Sequence, residues 1–333
     1  MVWKDACNAQ FGRRRVEVLK RRALLEKRKP SDAKKAWQRV LESAEEKLGT
    51  LLNVDADVDD DGTKRWGGAR RRCDWQSMPA GCDPSAGKLG PIRSWRKRRQ
   101  IENLMGPIEF LAALCYRRLP LHRGVGRAVR LVDFCASSGF VGLPAAWVLK
   151  HLNVRVDVTD MRAMSIQLAQ QRLQMCKGSS VENYVDARVE LCEDHPGGFD
   201  IGIGLHACGT MTDVILDRCL SERAAFVLAP CCVGRLAQTD AYLSRPRSCT
   251  LKRILTPAQM RALSKSADCA VRDVQKLSET DKMRRRAKRI VDEDRLFLAR
   301  ESNYNVFRFQ MKPYSCTPKN DVLVGFPREW DVQ

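Results

Sequence analysis

The sequence predicts an α/β fold: a seven-stranded, mostly parallel, doubly wound sheet with a C-terminal antiparallel hairpin and a basic helical N-terminal extension. Three observations predict it. Five short apolar runs between Val129 and Ala229 alternate with segments of helical spacing, the pattern of repeated β-α units. The first run passes straight into a turn of small residues that opens a helix, where a chain can approach a ligand closely. A long charged helix after the fifth run is followed by two further apolar runs, Asn305–Met311 and Val322–Phe326, joined through Pro318-Lys-Asn-Asp321.

Residues 1–52 read as a basic helical extension. Helical spacing over 13–50 breaks near Lys29-Pro30-Ser31, so two helices are expected. Ser31 or Asp32 can cap the second, which carries Ala36, Trp37, Val40, Leu41, Ala44 and Leu48. Residues 53–92 read as an acidic linker and an irregular arm. Asn53–Gly62 (NVDADVDDDG) lacks the closing glutamate of a calcium loop and is expected to be disordered. The Gly, Pro and aromatic residues that follow have no period and suit an arm packed on the domain or on a partner. Residues 93–327 form the α/β domain and 328–333 a tail. Ser94–Met105 and Pro107–Arg118 are expected as two helices leading into the first strand.

The first strand, Val129–Val132, runs into Asp133-Phe-Cys-Ala-Ser-Ser-Gly-Phe-Val-Gly142, and a helix follows over Leu143–Leu149. The second, Val154–Thr159, ends at Asp160, and Ile166, Leu168, Ala169 and Leu173 mark the crossover helix. The third is expected over Val181–Val185, ending at Asp186-Ala187. The fourth, Phe199–Leu205, leads to His206-Ala-Cys-Gly-Thr-Met-Thr-Asp213. The fifth, Ala224–Ala229, leads to Pro230-Cys-Cys-Val-Gly234. Thr256 caps a helix with Pro257 at its first position, and a charged helix spans Asp281–Glu301.

Ligands bind at the carboxyl edge of such a sheet. An acid ending the second strand, Asp160, can accept hydrogen bonds from both hydroxyls of a ribose; Asp186 would accept from an adenine amino group. His206, Cys208, Asp213, Cys231 and Cys232 would crowd one crevice as catalytic candidates. His206 is the natural general base, because its ordinary pKa lies near neutrality. The four His and Cys residues could also converge on a metal, but they lack the closely spaced ligand pairs of structural zinc sites, so no metal is assigned.

The loop at Asp133 is not a G-x-G-x-x-G fingerprint. It resembles the D-x-G-x-G-x-G loop of S-adenosylmethionine (SAM) methyltransferases, with Cys135 and Ser137 at two glycine places and Gly139 at the third. HACGTMTD followed by PCCVG, with Arg96-Lys-Arg-Arg-Gln-Ile-Glu-Asn-Leu104 upstream and Ser315–Pro327 downstream, resembles the methyltransferase-like domain of the glutathione S-transferase C-terminal-domain-containing protein family. The likeness runs from about Trp75 to Pro327 and leaves out residues 1 to about 70. It implies a Rossmann-like class I methyltransferase fold with SAM as cofactor. By position, Asp133, Cys135, Ser137 and Gly139 would line the methionine end, Asp160 the ribose and Asp186 the adenine. His206 and the Cys231-Cys232 turn would face the methyl. The terminal hairpin fits this cofactor better than NAD, whose dehydrogenases add a second β-α-β half. Cys231 or Cys232 could alternatively attack a pyrimidine ring, as the PC dipeptide of cytosine-5 methyltransferases does.

The formal charge is +19 over 333 residues. Basic residues concentrate in residues 1–50, with 14 Lys/Arg against 7 Asp/Glu, in 63–100, with 11 against 2, and in Lys282–Arg289 (KMRRRAKR). Such a field favours RNA or another polyanion. A catalytically weak methyltransferase-fold RNA- or ribonucleoprotein-binding protein is the alternative to an enzyme. The 14 cysteines are scattered without C-x2-C pairs, which suits reduced thiols in a cytoplasmic protein. The basic start also leaves mitochondrial import open. No apolar run approaches a membrane span.

Overall fold

The computed structural model describes residues 32–52, 73–118, 127–238, 245–271 and 276–330. The helix expected before Pro30 and the acidic stretch 53–62 lie outside them. Seven strands form one sheet in the order β3-β2-β1-β4-β5-β7-β6. They are β1 Val129–Asp133, β2 Val154–Asp160, β3 Val185–Val189, β4 Ile201–Leu205, β5 Ala225–Ala229, β6 Tyr304–Gln310 and β7 Asp321–Pro327. β1 to β5 are parallel, and β7 enters antiparallel between β5 and β6. This is the Rossmann-like methyltransferase arrangement that the sequence predicts.

The longer helices among the described residues are α1 Asp32–Leu52, α2 Pro91–Arg118, α3 Gly142–Val148, α4 Ala163–Gln174, α5 Met211–Ser221, α6 Pro257–Ser266 and α7 Glu279–Glu301. Thr256 caps α6 reciprocally with Gln259, and Ser278 caps α7 through the Asp281 N–H. None of the described helices is long and apolar enough to cross a membrane.

The central strands are apolar on both sides because each face is covered. Leu131, Val156, Ile203 and Val227 pack with Ile101, Leu104 and Ile108 of α2. Val132, Phe226 and Leu228 pack on the other side with Ile215, Leu216 and Tyr304. A third cluster joins Leu41, Ala44 and Leu48 of α1 to Met260 and Leu263 of α6 and to Ile290 and Val291 of α7. The apolar stripe read in 36–48 therefore serves to dock the extension on the C-terminal helices.

Two expectations are corrected. The helices expected on either side of Gly106-Pro107 are one 28-residue helix, α2. Pro107 removes one backbone donor, but Met105, Ile108 and Leu111 are all fully buried across it, and that continuous apolar face keeps the axis unbroken. Val181–Tyr184 is a helical turn rather than the third strand. The Gly178 N–H donates to Glu182 Oε2 (3.2 Å) and closes the turn, so β3 starts only at Val185.

The arm over 73–90 packs on the domain. Arg172 of α4 is 1% exposed and donates to the carbonyls of Gly81 (3.0 Å), Cys82 (3.2 Å) and Ser138 (2.6 Å). One buried guanidinium thus ties the arm to the loop after β1.

Candidate active site

The register sets the loops after β1, β2, β4 and β5 along one edge. Asp133 pairs with Val158 and Ile203, and Leu205 pairs with Ala229. The Ala136 N–H donates to the Thr159 carbonyl (2.9 Å), and the His206 N–H to the Ala229 carbonyl (3.1 Å). The edge thus continues past the strands into the loops that carry the chemistry.

In the β1 loop the three glycine places of D-x-G-x-G-x-G all take left-handed backbone: Cys135 at φ 52°, Ser137 at 55° and Gly139 at 68°. Only Gly139 does so without steric cost. A left-handed non-glycine residue costs roughly 1 kcal/mol. Ser137→Gly should therefore raise stability by about 1 kcal/mol, read as a higher urea midpoint at unchanged m. Its N–H, which donates to Asp160 Oδ2 (2.9 Å), is retained, so SAM affinity should be equal or tighter. A tenfold loss of affinity would make the serine hydroxyl itself a ligand group.

Asp133 is 1% exposed. Its Oδ2 accepts from the Gly142 N–H (2.8 Å), while Oδ1 is buried with no hydrogen-bond partner. Burial pushes its carboxyl up to about 7, against the opposing pull of the Gly142 and Val141 N–H groups and of Lys97. Asp160 ends β2 as expected and is 4% exposed. Its oxygens accept from the Ser137 N–H (2.9 Å) and from the Arg162 N–H (2.9 Å) and Nε (3.2 Å). It already holds the loop in shape.

Asp186 is corrected. It is the second residue of β3, paired with Asp157 and far from the strand's carboxyl end; it is exposed and bound to Arg188 (2.8 Å). Asp160 instead pairs with Val189. That corner carries Met161, Met164, Val189 and Leu191, large apolar side chains that are 44–67% exposed. Such an apolar bed suits the flat face of an adenine. Sequence reading passed over it, although Met161 directly follows Asp160.

His206, Cys208, Cys231 and Cys232 meet between β4 and β5. The three sulfurs lie 2.9 Å (208–231), 3.5 Å (208–232) and 3.5 Å (231–232) apart. The His206 carbonyl lies 3.4 Å from Cys208 Sγ and 3.5 Å from Cys231 Sγ. Hydrogen bonding from Cys231, then from Cys232, pulls the Cys208 thiol down to about 6, with Arg235 helping. Donation to Cys208 pushes Cys231 well up.

The His206 ring nitrogens are not among the ligand atoms that meet at the three sulfurs. His206 Nε2 lies 3.0 Å from Gln100 Oε1, and Gln100 Nε2 donates to the Cys316 carbonyl (3.0 Å). That donation fixes the amide, so Oε1 accepts from a His206 Nε2–H and Nδ1 carries the lone pair. Burial, and then the Lys97 cation, push His206 down to about 3. The expected neutral-range general base is corrected: the imidazole stays uncharged and weakly basic near neutrality. Lys97, pushed down to about 8 by burial, is its titratable neighbour. Lys97 and Gln100 were missed as site residues, although they stand inside the Arg96–Leu104 block.

Asp213 is also corrected. It sits in the first turn of α5, 7% exposed, and is bound by Arg295 (2.8 Å), Arg245 and Arg247 (3.5 Å). Despite its burial, Arg295 and Arg245 hold its carboxyl well below the usual range. It is a structural ion-pair residue rather than part of the crevice.

A protein-family profile described as a methyltransferase domain matches residues 96–239. The glutathione S-transferase C-terminal domain-containing protein of Xenopus laevis is 32% identical over 256 residues, which is 76% of this chain and 38% of that protein. The Drosophila melanogaster homolog is 32% identical over 281 residues, 84% and 44% respectively. The chain spans less than half the length of these curated relatives. Among solved structures, an SAH-bound methyltransferase from Podospora anserina is 10% identical with a TM-score of 0.41, covering 76% of this chain and 91% of that one. Over about three quarters of its length the chain is similar to the glutathione S-transferase C-terminal domain-containing proteins, and its residues 96–239 match the profile of a methyltransferase domain.

Proposed function

We propose that the chain is a SAM-dependent methyltransferase acting on RNA. The observation that carries the cofactor assignment is Asp133: a wholly buried carboxyl with one oxygen unpartnered, beneath a loop bent into three left-handed steps. A buried oxygen without a partner costs about 1–3 kcal/mol, and an ammonium such as that of the SAM methionine would satisfy it. The loop backbone over 135–139, Asp160 and the apolar bed at Met161 and Leu191 would hold the rest. When bound, SAM supplies an electrophilic methyl on a sulfonium sulfur. The chain's own groups would then position the acceptor. His206 offers the Nδ1 lone pair, Gln100 fixes its ring, and Lys97 exchanges a proton near neutrality.

RNA as acceptor is favoured by the first turns of α2. Ile92 is 67% and Trp95 39% exposed. Arg93 is exposed and Arg96 half-buried, and neither forms an ion pair among the described residues. One turn further along, Gln100 meets His206 and the Lys97 cation acts on it. A free aromatic between arginines beside a methyl-transfer site suits base stacking and phosphate contact. Lys282–Arg289 supports this less than its sequence promises. Arg286 is bound to Glu45, Arg285 donates to the Val271 carbonyl (3.1 Å), and Lys288 is buried between Asp292 and Asp321.

The test is calorimetric titration with SAM, followed by transfer of labelled methyl to an RNA pool. One SAM per chain and label in RNA are expected. Trp95→Ala should weaken RNA binding by about 1–2 kcal/mol, and Arg96→Ala should reduce the salt slope by about 1. A flat salt response, or label in added protein but not RNA, would remove RNA as the acceptor. Asp160, already engaged by Ser137 and Arg162, favours the second reading, an RNA-binding protein without catalysis; salt-dependent RNA binding with no SAM binding would establish that instead.

A further inference from the structure

The roles above leave the three sulfurs unused. Cys208 follows β4, and Cys231 and Cys232 follow β5. The pairing of Leu205 with Ala229 sets the two turns side by side, so their meeting is a consequence of the sheet rather than of a local loop. Among the described residues they are the one group of three or more His, Cys, Asp or Glu side chains whose ligand atoms all lie within 4.8 Å of one another. Thiols are weak donors and weak acceptors, so three of them in mutual contact gain little as a hydrogen-bonded core. Pairing two as a disulfide would leave the third over. Sulfurs around a tetrahedral zinc, at about 2.3 Å from the metal, stand about 3.8 Å apart. The separations here, 2.9–3.5 Å, need only a small outward relaxation to reach that.

We propose that Cys208, Cys231 and Cys232 bind one zinc ion through three thiolates, with the fourth position open to water or to a ligand from the acceptor side. Thiolate sets select zinc over magnesium or calcium. Three protein ligands and one open position is the pattern of zinc sites that work on a ligand, whereas structural sites are closed by four. Cys231 is buried while Cys208 and Cys232 are half-buried, so an open position would lie on the side of those two. The His206 imidazole, held by Gln100, does not close it. A zinc with three thiolates carries one net negative charge, and Lys97 and Arg235 are the cations that act on these sulfurs.

The test is elemental analysis of the full chain purified under reductant without chelator, then reloaded with equimolar zinc and desalted. About one zinc per chain is expected, falling below about one fifth in Cys208→Ser and Cys231→Ser. Cys249→Ser, on an exposed cysteine elsewhere in the fold, should keep the full content. Cobalt loading should give a sulfur-to-metal charge-transfer band in the wild type that these two variants lack. Should Cys231→Ser misfold by circular dichroism, Cys232→Ser, on a half-buried side chain, replaces it. Retention of less than about one tenth of an ion by the folded wild type, or zinc content unchanged in the variants, would overturn the site. Copper(I) binding with no zinc binding would overturn the choice of metal. SAM titration of the same samples separates the two proposals: zinc binding without SAM binding sinks the cofactor assignment and leaves the metal site standing.

Discussion

Asp213→Ala is expected to destabilise the fold by about 3–5 kcal/mol, the usual cost of stripping one partner from a buried ion pair. Arg245 and Arg295 are 2% and 1% exposed at the side chain. Both direct nitrogens at Asp213, and both would be left charged and undercompensated. Their other partners cannot take over. Arg295 already binds Asp292 Oδ1 (2.8 Å), and Asp292 also serves Lys288 (2.5 Å). Asp294 meets Arg245 at 3.4 Å but already accepts from the Arg247 and Ser248 N–H groups. Stability of a domain is typically 5–15 kcal/mol, so the loss should be plain as a fall in urea midpoint at unchanged m. A variant of unchanged stability but lost methyl transfer would restore Asp213 to the crevice as a catalytic group. Because the native carboxyl is held low, its contribution is complete above the unfolded value near 3.8 and is lost as pH falls below it.

Asp213 also marks where sequence reading stops. Its partners lie 32 and 82 residues away, and nothing local distinguishes an acid aimed into a crevice from one aimed at buried arginines. The basic run Lys282–Arg289 misleads for the same reason, since Glu45, Asp292 and Asp321 neutralise part of it across the fold. Strands β1, β2, β4 and β5 were legible to within two residues at either end because buried parallel strands are continuous apolar runs that end at a polar or small residue. β3 was not, because Val181 opens a helical turn and Val185, four residues on, opens the strand, and periodicity over so few residues does not separate the two. The glycine places at 135, 137 and 139 were legible from the motif, and their left-handed backbone follows it even where glycine is absent. The convergence of three cysteines on one point was legible from strand order alone. The hold of Gln100 on the His206 ring was not, because Gln100 lies 106 residues away in the chain.

Asp133→Asn should weaken SAM binding by about 2–3 kcal/mol, roughly 30- to 150-fold, while stabilising the free protein above neutral pH. Both effects have one cause. The carboxyl is buried and its folded value is raised from 3.8 to about 7, so the folded state holds a proton that the unfolded state has released. Stability from this group is therefore full below about 3.8 and is lost as pH rises toward about 7, by an amount on the order of a few kcal/mol. Above that the free protein carries an ionised, half-satisfied carboxylate. Asparagine removes this pH dependence, so the gap between variant and wild-type unfolding midpoints should widen from pH 5 to pH 8. A bound ammonium reverses the balance, since it needs the ionised form. Wild-type affinity should rise as pH increases, approaching tenfold per unit well below about 7, and level off above it. In the variant that rise should vanish, because no proton has to leave. Calorimetry in buffers of different ionisation enthalpy reads the same event directly: near pH 6, binding to the wild type should release close to one proton that binding to Asp133→Asn does not. Equal proton release by the two proteins, or wild-type affinity flat between pH 5.5 and 7.5 around that value of about 7, would mean that the cofactor's charge lies elsewhere and that the unpartnered oxygen of Asp133 has another partner.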